Sequence, residues 1–535
     1  MKRHVNIHKL FLPLLGLLFI LGIILVSLIS YKYELTNPFV FRHIALATIA
    51  GNEGKLIDNF NSINGYNFSF GDLYPGNEAL HLIIKAVTGL QGKDSHLIPI
   101  AGLLIALLSL ALVMKISRLR EESYILSIFI IVFLMATTLA LYCVWYYSIA
   151  VCLWLTFLII FINYLEKNHR LSCLILLLLV FISTFFIHHR APIWMITFIV
   201  TMTLVTGIYR IRFHSKVYKI PIFLAGAFAV IYLSFNKVLF SQYLPKANIF
   251  KTFDGVDNLV SGFYKYLGLT YSQTDPYLMT GGMSSFYQGE SIFWIQFLIY
   301  VVVLIPVCMF IYKVIRAYLV KHEVMESKDF FYMCLGLAIL FTAAIDMILY
   351  LFLSRLSLAL LGLLLPVVFL ISAKYLNMNR VLTLSLCLML AALSISRFAI
   401  LWQQGFSFDK TTYNDIRSSS SWLVSHTSST TSLFTDMQTH GKYLVIGAES
   451  KKYFDFIYYT SKNYAAIVEH DNLIVAKDSY FVVDKKSIDK PIMSFFTWNF
   501  YEPIQIYMSD VERNTQLMKI YEDNVIVIFL ISLRT

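Results

Sequence analysis

The segment FFIHHRAPIW, residues 185–194, places two imidazoles and a guanidinium in succession, at His188, His189 and Arg190. A guanidinium offers planar, two-pronged hydrogen bonding that matches a phosphate, and the histidines add further donors. Adjacent histidines are not a metal site by themselves, because helical metal pairs are usually three or four residues apart. The segment therefore indicates phosphate binding, with Arg190 as the main ligand.

Carboxylates form the second group of side chains that could do chemistry. Glu34, Asp58 and Asp72 all fall in a mostly polar stretch at residues 31–95. A carboxylate can take a proton from an attacking hydroxyl group or orient that group for attack. Asp72 also fits a turn, and Glu78 fits the first turn of a helix, where a negative charge is favourable. The stretch thus holds the candidates for an acid–base group.

These side chains must be positioned by a chain that is largely apolar. Of its 535 residues, 58% are hydrophobic and 14% are charged, and the mean hydropathy is +0.68. A soluble protein of this length needs far more surface charge, and runs of about twenty apolar residues match the thickness of a bilayer. The sequence predicts a polytopic α-helical membrane protein with about eleven transmembrane helices, at residues 10–30, 96–114, 123–141, 147–165, 171–188, 191–209, 218–236, 291–312, 330–353, 356–373 and 381–401.

The distribution of basic residues predicts the orientation of these spans. The first span follows a basic start, and we interpret it as a retained signal anchor with a cytoplasmic N-terminus. Every second connection is then rich in lysine and arginine, which is the positive-inside pattern. The C-terminus falls outside the cytoplasm. The net charge of +11 belongs to the membrane part, since the tail from residue 402 holds 13 Lys+Arg and 15 Asp+Glu, and it calls for no nucleic acid partner.

Three charged residues fall within or near the predicted spans. Asp346 lies in the ninth span, and an intramembrane carboxylate is a functional candidate by default. Nine residues separate it from Arg355, so the two point to opposite faces of one helix and a partner must come from another span. Arg355 and Arg397 lie near the outer face. They either join Arg190 as a cationic cluster or extend to the interface.

The tail is predicted to be a separate unit. Residues 1–401 form the transmembrane domain with long outer loops at 31–95 and 237–290, and residues 402–535 form a small extracytoplasmic α/β domain. Its predicted strands are rich in β-branched residues and bounded by turns, in the segments KYLVIG, AAIVEHDNLIVA, YFVVD and NVIVIFL. The segment DKTTYNDIRSSSSWLVSHTS is predicted to contain a helix.

Three short elements follow the first span in a fixed order: Phe41-Arg42-His43, Tyr74-Pro75-Gly76 and Thr88-Gly89-Leu90. They fall on a predicted surface helix, a turn-rich link and a short helix, EALHLIIKAVTGL, that cannot cross a bilayer. In this order they resemble the GT-C superfamily of membrane glycosyltransferases. The resemblance is strongest to archaeal and bacterial relatives of oligosaccharyltransferase and protein O-mannosyltransferase.

This resemblance implies a cell-membrane enzyme that moves a sugar from a polyprenyl-phosphate donor to an extracytoplasmic protein, lipid or glycan. It implies an inverting transfer with Glu34 as the base or acceptor-orienting group and His43 in support. Arg190, with His188 and His189, would bind the donor phosphate. The chain departs from the family pattern at Asn37-Pro38-Phe39-Val40, where an acidic residue is often found. A divalent metal, Mg²⁺ or Mn²⁺, stays open, with no ligand set assigned.

Three alternatives remain from the residues alone. A transporter or flippase of a lipid-linked glycan would show internal inverted repeats and charges spread through mid-membrane spans, of which Asp346 is the clear case. A surface-polysaccharide polymerase would place its decisive residues in the 237–290 loop. A catalytically degenerate family member would keep the scaffold without the missing acid. The sequence has no G-x-x-x-x-G-K-[ST] phosphate loop, and nothing in it points to ATP-driven chemistry.

Overall fold

The fold is known from a computed structural model that describes two parts of the chain, a helical bundle and an α/β unit near the C-terminus. The described residues are 38–54, 76–89, 146–166, 171–187, 191–213, 222–243, 290–317, 327–352, 415–427, 431–435, 437–451, 455–458, 479–486, 492–493, 500–501 and 517–531, with short helical groups between 104 and 116 and between 368 and 396, and residues 511 and 513.

Ten helices are long enough to number within these residues. They are α1 (Pro38–Glu53), α2 (Gly76–Thr88), α3 (Tyr146–Glu166), α4 (Leu171–Phe185), α5 (Ala191–Phe213), α6 (Ile222–Tyr243), α7 (Glu290–Ile315), α8 (Ser327–Phe352), α9 (Arg417–His426) and α10 (Met437–Glu449). Helices α3 to α8 coincide with six of the predicted spans. Five agree to within four residues at each end, whereas α6 runs over 222–243 and its span was predicted at 218–236.

Two helical segments of the described chain are long and apolar enough to cross a bilayer, Ile149–Glu166 and Ala191–Ile211. A helix rises 1.5 Å per residue, so about 20 residues cover a hydrocarbon core of about 30 Å. Shorter apolar stretches occur in four other helices, at Leu171–Phe185, Leu224–Ser234, Val301–Ile315 and Phe330–Ile345. The total of eleven spans stays a prediction, because several of them lie outside the described residues.

Aromatic side chains from α3 to α6 form the centre of the bundle. Trp154 meets the edge of Phe198 with ring centroids 5.4 Å apart, and Phe181 stacks on Phe228 at 4.0 Å. All four rings are fully buried. Large rings in edge-to-face and stacked arrangements fill the space between four helices with few voids. This packing fixes the positions of the helix ends, where the charged residues lie.

Contacts at one end of the bundle join helix ends that the charge pattern assigns to the cytoplasmic side. They are the Lys115–Glu166 ion pair, the hydrogen bonds from Tyr332 Oη to Ile116 O and from Lys313 Nζ to Tyr375 O, each 3.0 Å, and the ring contact between Tyr209 and Phe330. At the other end, Phe185 contacts Tyr232. The helix ends thus group as the sequence predicts. Which group faces the cytoplasm stays a prediction.

The C-terminal unit contains a five-stranded mixed sheet. Its strands are β1 (Ser432–Thr435), β2 (Asp455–Tyr458), β3 (Ser479–Asp484), β6 (Leu517–Glu522) and β7 (Ile526–Ile531), and a separate pair consists of β4 (Ile492–Met493) and β5 (Phe500–Tyr501). The order across the sheet is β2-β1-β3-β7-β6. Strand β1 runs parallel to β2 and β3, and β7 runs antiparallel to β3 and β6.

The structure confirms most of the local predictions in this unit. YFVVD is β3, NVIVIFL supplies β7, and α9 lies in the segment predicted to hold a helix. The prediction of a strand at KYLVIG was wrong, because these residues lie in α10. A short apolar run cannot by itself distinguish a buried strand from a buried helix, and here residues Tyr443 to Ile446 are all buried. The segment AAIVEHDNLIVA lies outside the described residues.

Helix α1 belongs to the hydrophobic core of the C-terminal unit. Ile44, Ala45 and Ile49 are fully buried in one cluster with Leu423 of α9 and Tyr443 of α10. The sequence predicted α1 to lie on the membrane surface, but every side chain from Ile44 to Ala50 is buried. Burial of a single isoleucine contributes about 1.5–3 kcal/mol. Helix α1, which follows the first predicted span, and the tail therefore share one core although they are far apart in sequence.

Candidate functional site

Helix α2 buries two polar side chains and exposes large apolar ones. Glu78 and His81 are 5% and 3% exposed, and Ile84 continues the same stripe. On the other side, Ile83 is 57% exposed and Val87 is 80% exposed. This is the reverse of a surface helix on a soluble protein, in which the apolar stripe faces inward. It suits a short helix with lipid on one side and a polar interior on the other.

The first residue of α2 fixes this helix against the end of α4. The Gly76 backbone N–H donates a hydrogen bond to the carbonyl oxygen of Phe186, with an N···O distance of 2.9 Å. A Cβ at position 76 would lie 2.4 Å from Ile187 Cδ1 and 2.8 Å from the Phe186 oxygen, so only glycine fits this approach. The glycine of the Tyr74-Pro75-Gly76 element is therefore a point of close backbone contact, one residue away from the start of His188-His189-Arg190.

Helix α1 lies between α2 and the C-terminal unit. On one side, a Cβ at Gly51 would lie 3.1 Å from Leu82 Cδ2, which shows how closely α1 and α2 approach. On the other side, Asn52 Nδ2 donates a hydrogen bond to the Ala448 carbonyl oxygen at 3.1 Å. Helix α1 ends immediately afterwards at Gly54, with φ +70. The α1 helix thus connects the C-terminal unit to α2 and, through Gly76, to the C-terminal end of α4.

Few of the predicted site residues are described in the structure. His43 lies on α1, one residue before the buried stripe begins, and Asp346 lies on α8; the side chains of both are outside the described set. The other predicted residues lie outside the described residues altogether: Glu34, Asp58, Asp72, His188, His189, Arg190, Arg355 and Arg397. Their roles stay predictions. Of the residues around Arg190 in the sequence, the structure describes Ile187 before it and Ala191 after it.

Sequence reasoning missed the pair formed by Glu78 and His81. It treated Glu78 as a charge at a helix N-terminus and assigned no role to His81. The spacing of three residues puts both side chains on one face of α2, and the pattern of apolar residues on the opposite face was the available indication. A carboxylate and an imidazole side by side can share a proton, hold an acceptor hydroxyl or bind a cation. Within the described part of the chain, no group of three or more His, Cys, Asp or Glu side chains is arranged to hold a metal.

Ionic contacts at the tip of the C-terminal sheet hold the β6–β7 hairpin. Lys485 Nζ donates to Glu522 Oε1 at 2.6 Å, and Lys519 Nζ donates to Glu522 Oε2 at 2.7 Å. These two bonds lower the pKa of Glu522 to about 2. Partial burial, followed by the hydrogen bond to Asp523, raises the pKa of Tyr521 to about 12. These contacts join the β6–β7 hairpin to Lys485, which follows β3.

No protein-family model matches the chain, and no curated protein matches it. The solved structures that are similar to the chain include the following two. An archaeal oligosaccharyltransferase, AglB from Archaeoglobus fulgidus, in complex with an inhibitory peptide and a dolichol-phosphate, is 15% identical; the match covers 87% of this chain and 69% of that one, with a TM-score of 0.48. ArnT from Cupriavidus metallidurans, bound to undecaprenyl phosphate, is 11% identical; the match covers 98% and 99%, with a TM-score of 0.36.

Both of these proteins are GT-C superfamily membrane glycosyltransferases, the superfamily that the sequence motifs resemble. At these identities, and with both TM-scores below 0.5, the similarities do not assign an activity to this chain. An assignment of activity must therefore rest on the chain's own residues and their geometry.

Proposed function

We propose that this protein is a membrane glycosyltransferase. It moves a sugar from a polyprenyl-phosphate donor to an acceptor outside the cytoplasm, which is a protein, a lipid or a surface glycan. The enzyme is a multi-pass protein of the cell membrane with a cytoplasmic N-terminus and an extracytoplasmic C-terminal domain. The donor's acyl chain stays in the bilayer while its phosphate and sugar reach the outer face.

The observation that carries this proposal is the contact between Gly76 and Phe186. It joins the first turn of α2, with the buried Glu78, to Phe186 and Ile187, which precede His188-His189-Arg190 in the sequence. Glycosyl transfer from a phosphate needs an acid–base group near cations that stabilise the departing phosphate. The contact joins α2, which follows Glu34 in the same segment of the sequence, to the end of α4 that leads into the proposed phosphate ligands, at the end of the bundle opposite the Lys313 and Glu166 contacts.

The exposed face of α2 supports a lipid-linked substrate. Ile83 and Val87, farther along α2 from this junction, are exposed on the face that points away from the protein. An acyl chain lying along these side chains would be continuous with the bilayer, while the phosphate turned inward. A water-soluble nucleotide sugar would have no use for an apolar outer face at the site, so the geometry favours a donor carried by a polyprenyl chain.

The proposed roles follow the chemistry of each residue. Glu34 takes the acceptor proton or orients the acceptor, and His43 on α1 supports it. Arg190 binds the phosphate with help from His188 and His189. Arg355 and Arg397 complete the cationic surroundings of the phosphate. If Glu34 is shown not to be the base, the remaining carboxylate candidates for that role are Asp58, Asp72 and Asp346.

Transfer by purified protein in nanodiscs tests this proposal. A panel of radiolabelled polyprenyl-phosphate sugars is offered with membrane extract as the source of acceptors, and wild type is compared with Glu34→Gln and Arg190→Ala. Loss of a general base lowers rates by about 10²–10⁴-fold, and loss of a charge-stabilising group by about 10²–10³-fold. Full activity in Glu34→Gln would remove Glu34 as the base. Wild type without transfer from any donor would contradict the proposed function.

A further inference from the structure

Helix α1 is enclosed on all of its faces along much of its length. Every side chain from Ile44 to Ala50 is buried, and these consecutive residues cover nearly two turns of helix. The same holds for α10, in which every residue from Gly441 to Ala448 is buried. A surface helix keeps one polar, exposed face, so enclosure on all sides marks an interior helix. Neither helix therefore has a free side into which it can move without displacing a neighbour.

These two enclosed helices pack against each other. Among the described elements, α1 and α10 share the most extensive contact. Ile44 and Ile49 of α1 lie in the same hydrophobic cluster as Tyr443 of α10. Near the ends of both helices, the hydrogen bond from Asn52 to the Ala448 carbonyl oxygen adds a directional contact. Because close-packed interiors compress little and transmit strain, a displacement of α10 must displace α1 as well.

On its other side, α1 contacts the helix that leads to the proposed phosphate ligands. A Cβ at Gly51 would lie 3.1 Å from Leu82 Cδ2 of α2, so the two helices pack closely at this point. Helix α2 is joined in turn to the end of α4 by the hydrogen bond from the Gly76 N–H to the Phe186 carbonyl oxygen. The described contacts thus form a continuous path from α10 through α1 and α2 to α4, whose end precedes Arg190 in the sequence.

We propose that α1 couples the C-terminal unit to the site at which the donor phosphate binds. Polyprenyl phosphate bound beside α2 stabilises the packing of α1 against α10. By reciprocity, a ligand of the C-terminal unit changes the affinity for the donor by the same factor. Chains of packed side chains carry energetic coupling of this kind. The inference deepens the proposed function as regulation of that site, and it rests on the proposed function for the identity of the ligands.

Hydrogen–deuterium exchange of the full-length protein in nanodiscs tests this coupling in two independent ways. The first uses no ligand and compares wild type with Leu82→Ala, which truncates the side chain that α2 places against α1. Ile83→Ala is the matched control, because Ile83 is the next residue of the same helix and is 57% exposed. The second adds undecaprenyl phosphate to wild type, with undecaprenol as the control that lacks the phosphate. Exchange is measured in peptides from α1 and α10, and peptides from α7 report any general change in stability.

Without ligand, we expect α1 and α10 to exchange faster in Leu82→Ala than in wild type and in Ile83→Ala, with α7 unchanged. Undecaprenyl phosphate should slow exchange in α10 by about fivefold or more, which is the lower end of common coupling factors, and undecaprenol should not. Exchange in α10 that is unaffected by Leu82→Ala, or unaffected by bound undecaprenyl phosphate, overturns the inference. An equal change in α7 also overturns it. If Leu82→Ala does not fold, the ligand measurement on wild type decides the matter.

Failure of this inference is distinguishable from failure of the proposed function. Sugar transfer by a protein whose α10 exchange is unchanged on binding undecaprenyl phosphate removes the coupling and leaves the transferase. Absence of competable binding of undecaprenyl phosphate contradicts the proposed donor. In that case the response of α10 to Leu82→Ala decides by itself whether α1 couples α2 to the C-terminal unit.

Discussion

The close approach of α2 to the end of α4 depends on the absence of a side chain at Gly76. Its N–H bonds to Phe186 and its Cα faces Ile187 so closely that any larger residue must push α2 and α4 apart. The sequence marks this glycine only as part of a Tyr-Pro-Gly turn. Its partner lies in a distant part of the chain, and no local pattern in the sequence could have identified it.

We predict that Gly76→Ala destabilises the end of the bundle at which α2 meets α4. The new Cβ would lie 2.4 Å from Ile187 Cδ1 and 2.8 Å from the Phe186 oxygen, and overpacking of this kind typically costs about 1–3 kcal/mol. Thermal unfolding in detergent should shift to lower temperature. Gly226→Ala in α6 is the matched control, because nothing lies within 4 Å of a Cβ there. Equal melting of the two variants would contradict the tight contact.

A second prediction concerns the pH dependence of the C-terminal unit. Because Lys485 and Lys519 lower the pKa of Glu522 from 4.5 to about 2, the ionised carboxylate stabilises the fold above pH 4.5. That contribution is lost as the pH falls from 4.5 through about 2. Glu522→Gln should therefore lower the melting temperature at neutral pH and make it less sensitive to acid, measured by calorimetry. Glu449→Gln serves as the control, and the same acid sensitivity in Glu522→Gln and wild type would refute the ion-pair account.

At the scale of elements, α1 packs with the C-terminal unit, although the predicted domain boundary assigns it to the transmembrane domain. The sequence divides the chain at residue 401, yet α1 packs into the same core as α9 and α10. A helix with buried Ile44 and Ile49 completes the C-terminal unit. A movement of that unit on binding an acceptor would therefore be passed to α2 through α1.

We expect Ile49→Ala to loosen α10 although the two lie far apart in sequence. Ile49 is fully buried, and truncation of such a side chain costs about 2–5 kcal/mol. Hydrogen–deuterium exchange should rise in peptides from α10 and in α1 itself. Ile83→Ala on the exposed face of α2 is the control. Unchanged exchange in α10 would show that the C-terminal unit is stable without α1.

The elements also show where sequence reasoning succeeds. Strands β3 and β7 have β-branched runs with clear turn residues around them, and they were predicted. KYLVIG has a similar composition but lies in α10, because a short buried apolar run is compatible with either a strand or a helix. The candidate site is harder to predict from the sequence than these strands and helices. The pair of Glu78 and His81 becomes visible only when Ile83 and Val87 are known to face outward, which depends on the tertiary packing of α2.

At the scale of the whole molecule, the helix ends form two groups. The contacts of Lys115, Lys313 and Tyr332 lie at the ends that the positive-inside pattern assigns to the cytoplasm. The Gly76–Phe186 junction lies at the opposite end. The proposed function requires that this second group, with the C-terminal unit, faces outward.

Cysteine labelling of intact cells checks this orientation. In a background without the native cysteines, Lys519→Cys in the C-terminal unit should react with a membrane-impermeant maleimide. Arg316→Cys, at the end of α7, should react only after the membrane is opened. Both positions are exposed in the fold, so access to the reagent is decided by the membrane. The reverse pattern would place the site in the cytoplasm and contradict transfer to an extracytoplasmic acceptor.

The most direct test of the account is to locate the donor's phosphate on the protein. A photoreactive polyprenyl phosphate is bound to the protein in nanodiscs, crosslinked, and mapped by mass spectrometry with and without unlabelled competitor. The account predicts competable adducts on α2 and on peptides spanning residues 186–195, and their loss in Arg190→Ala. Adducts at the helix ends near Lys313, or adducts spread over the lipid-facing helices and unaffected by competitor, would contradict it.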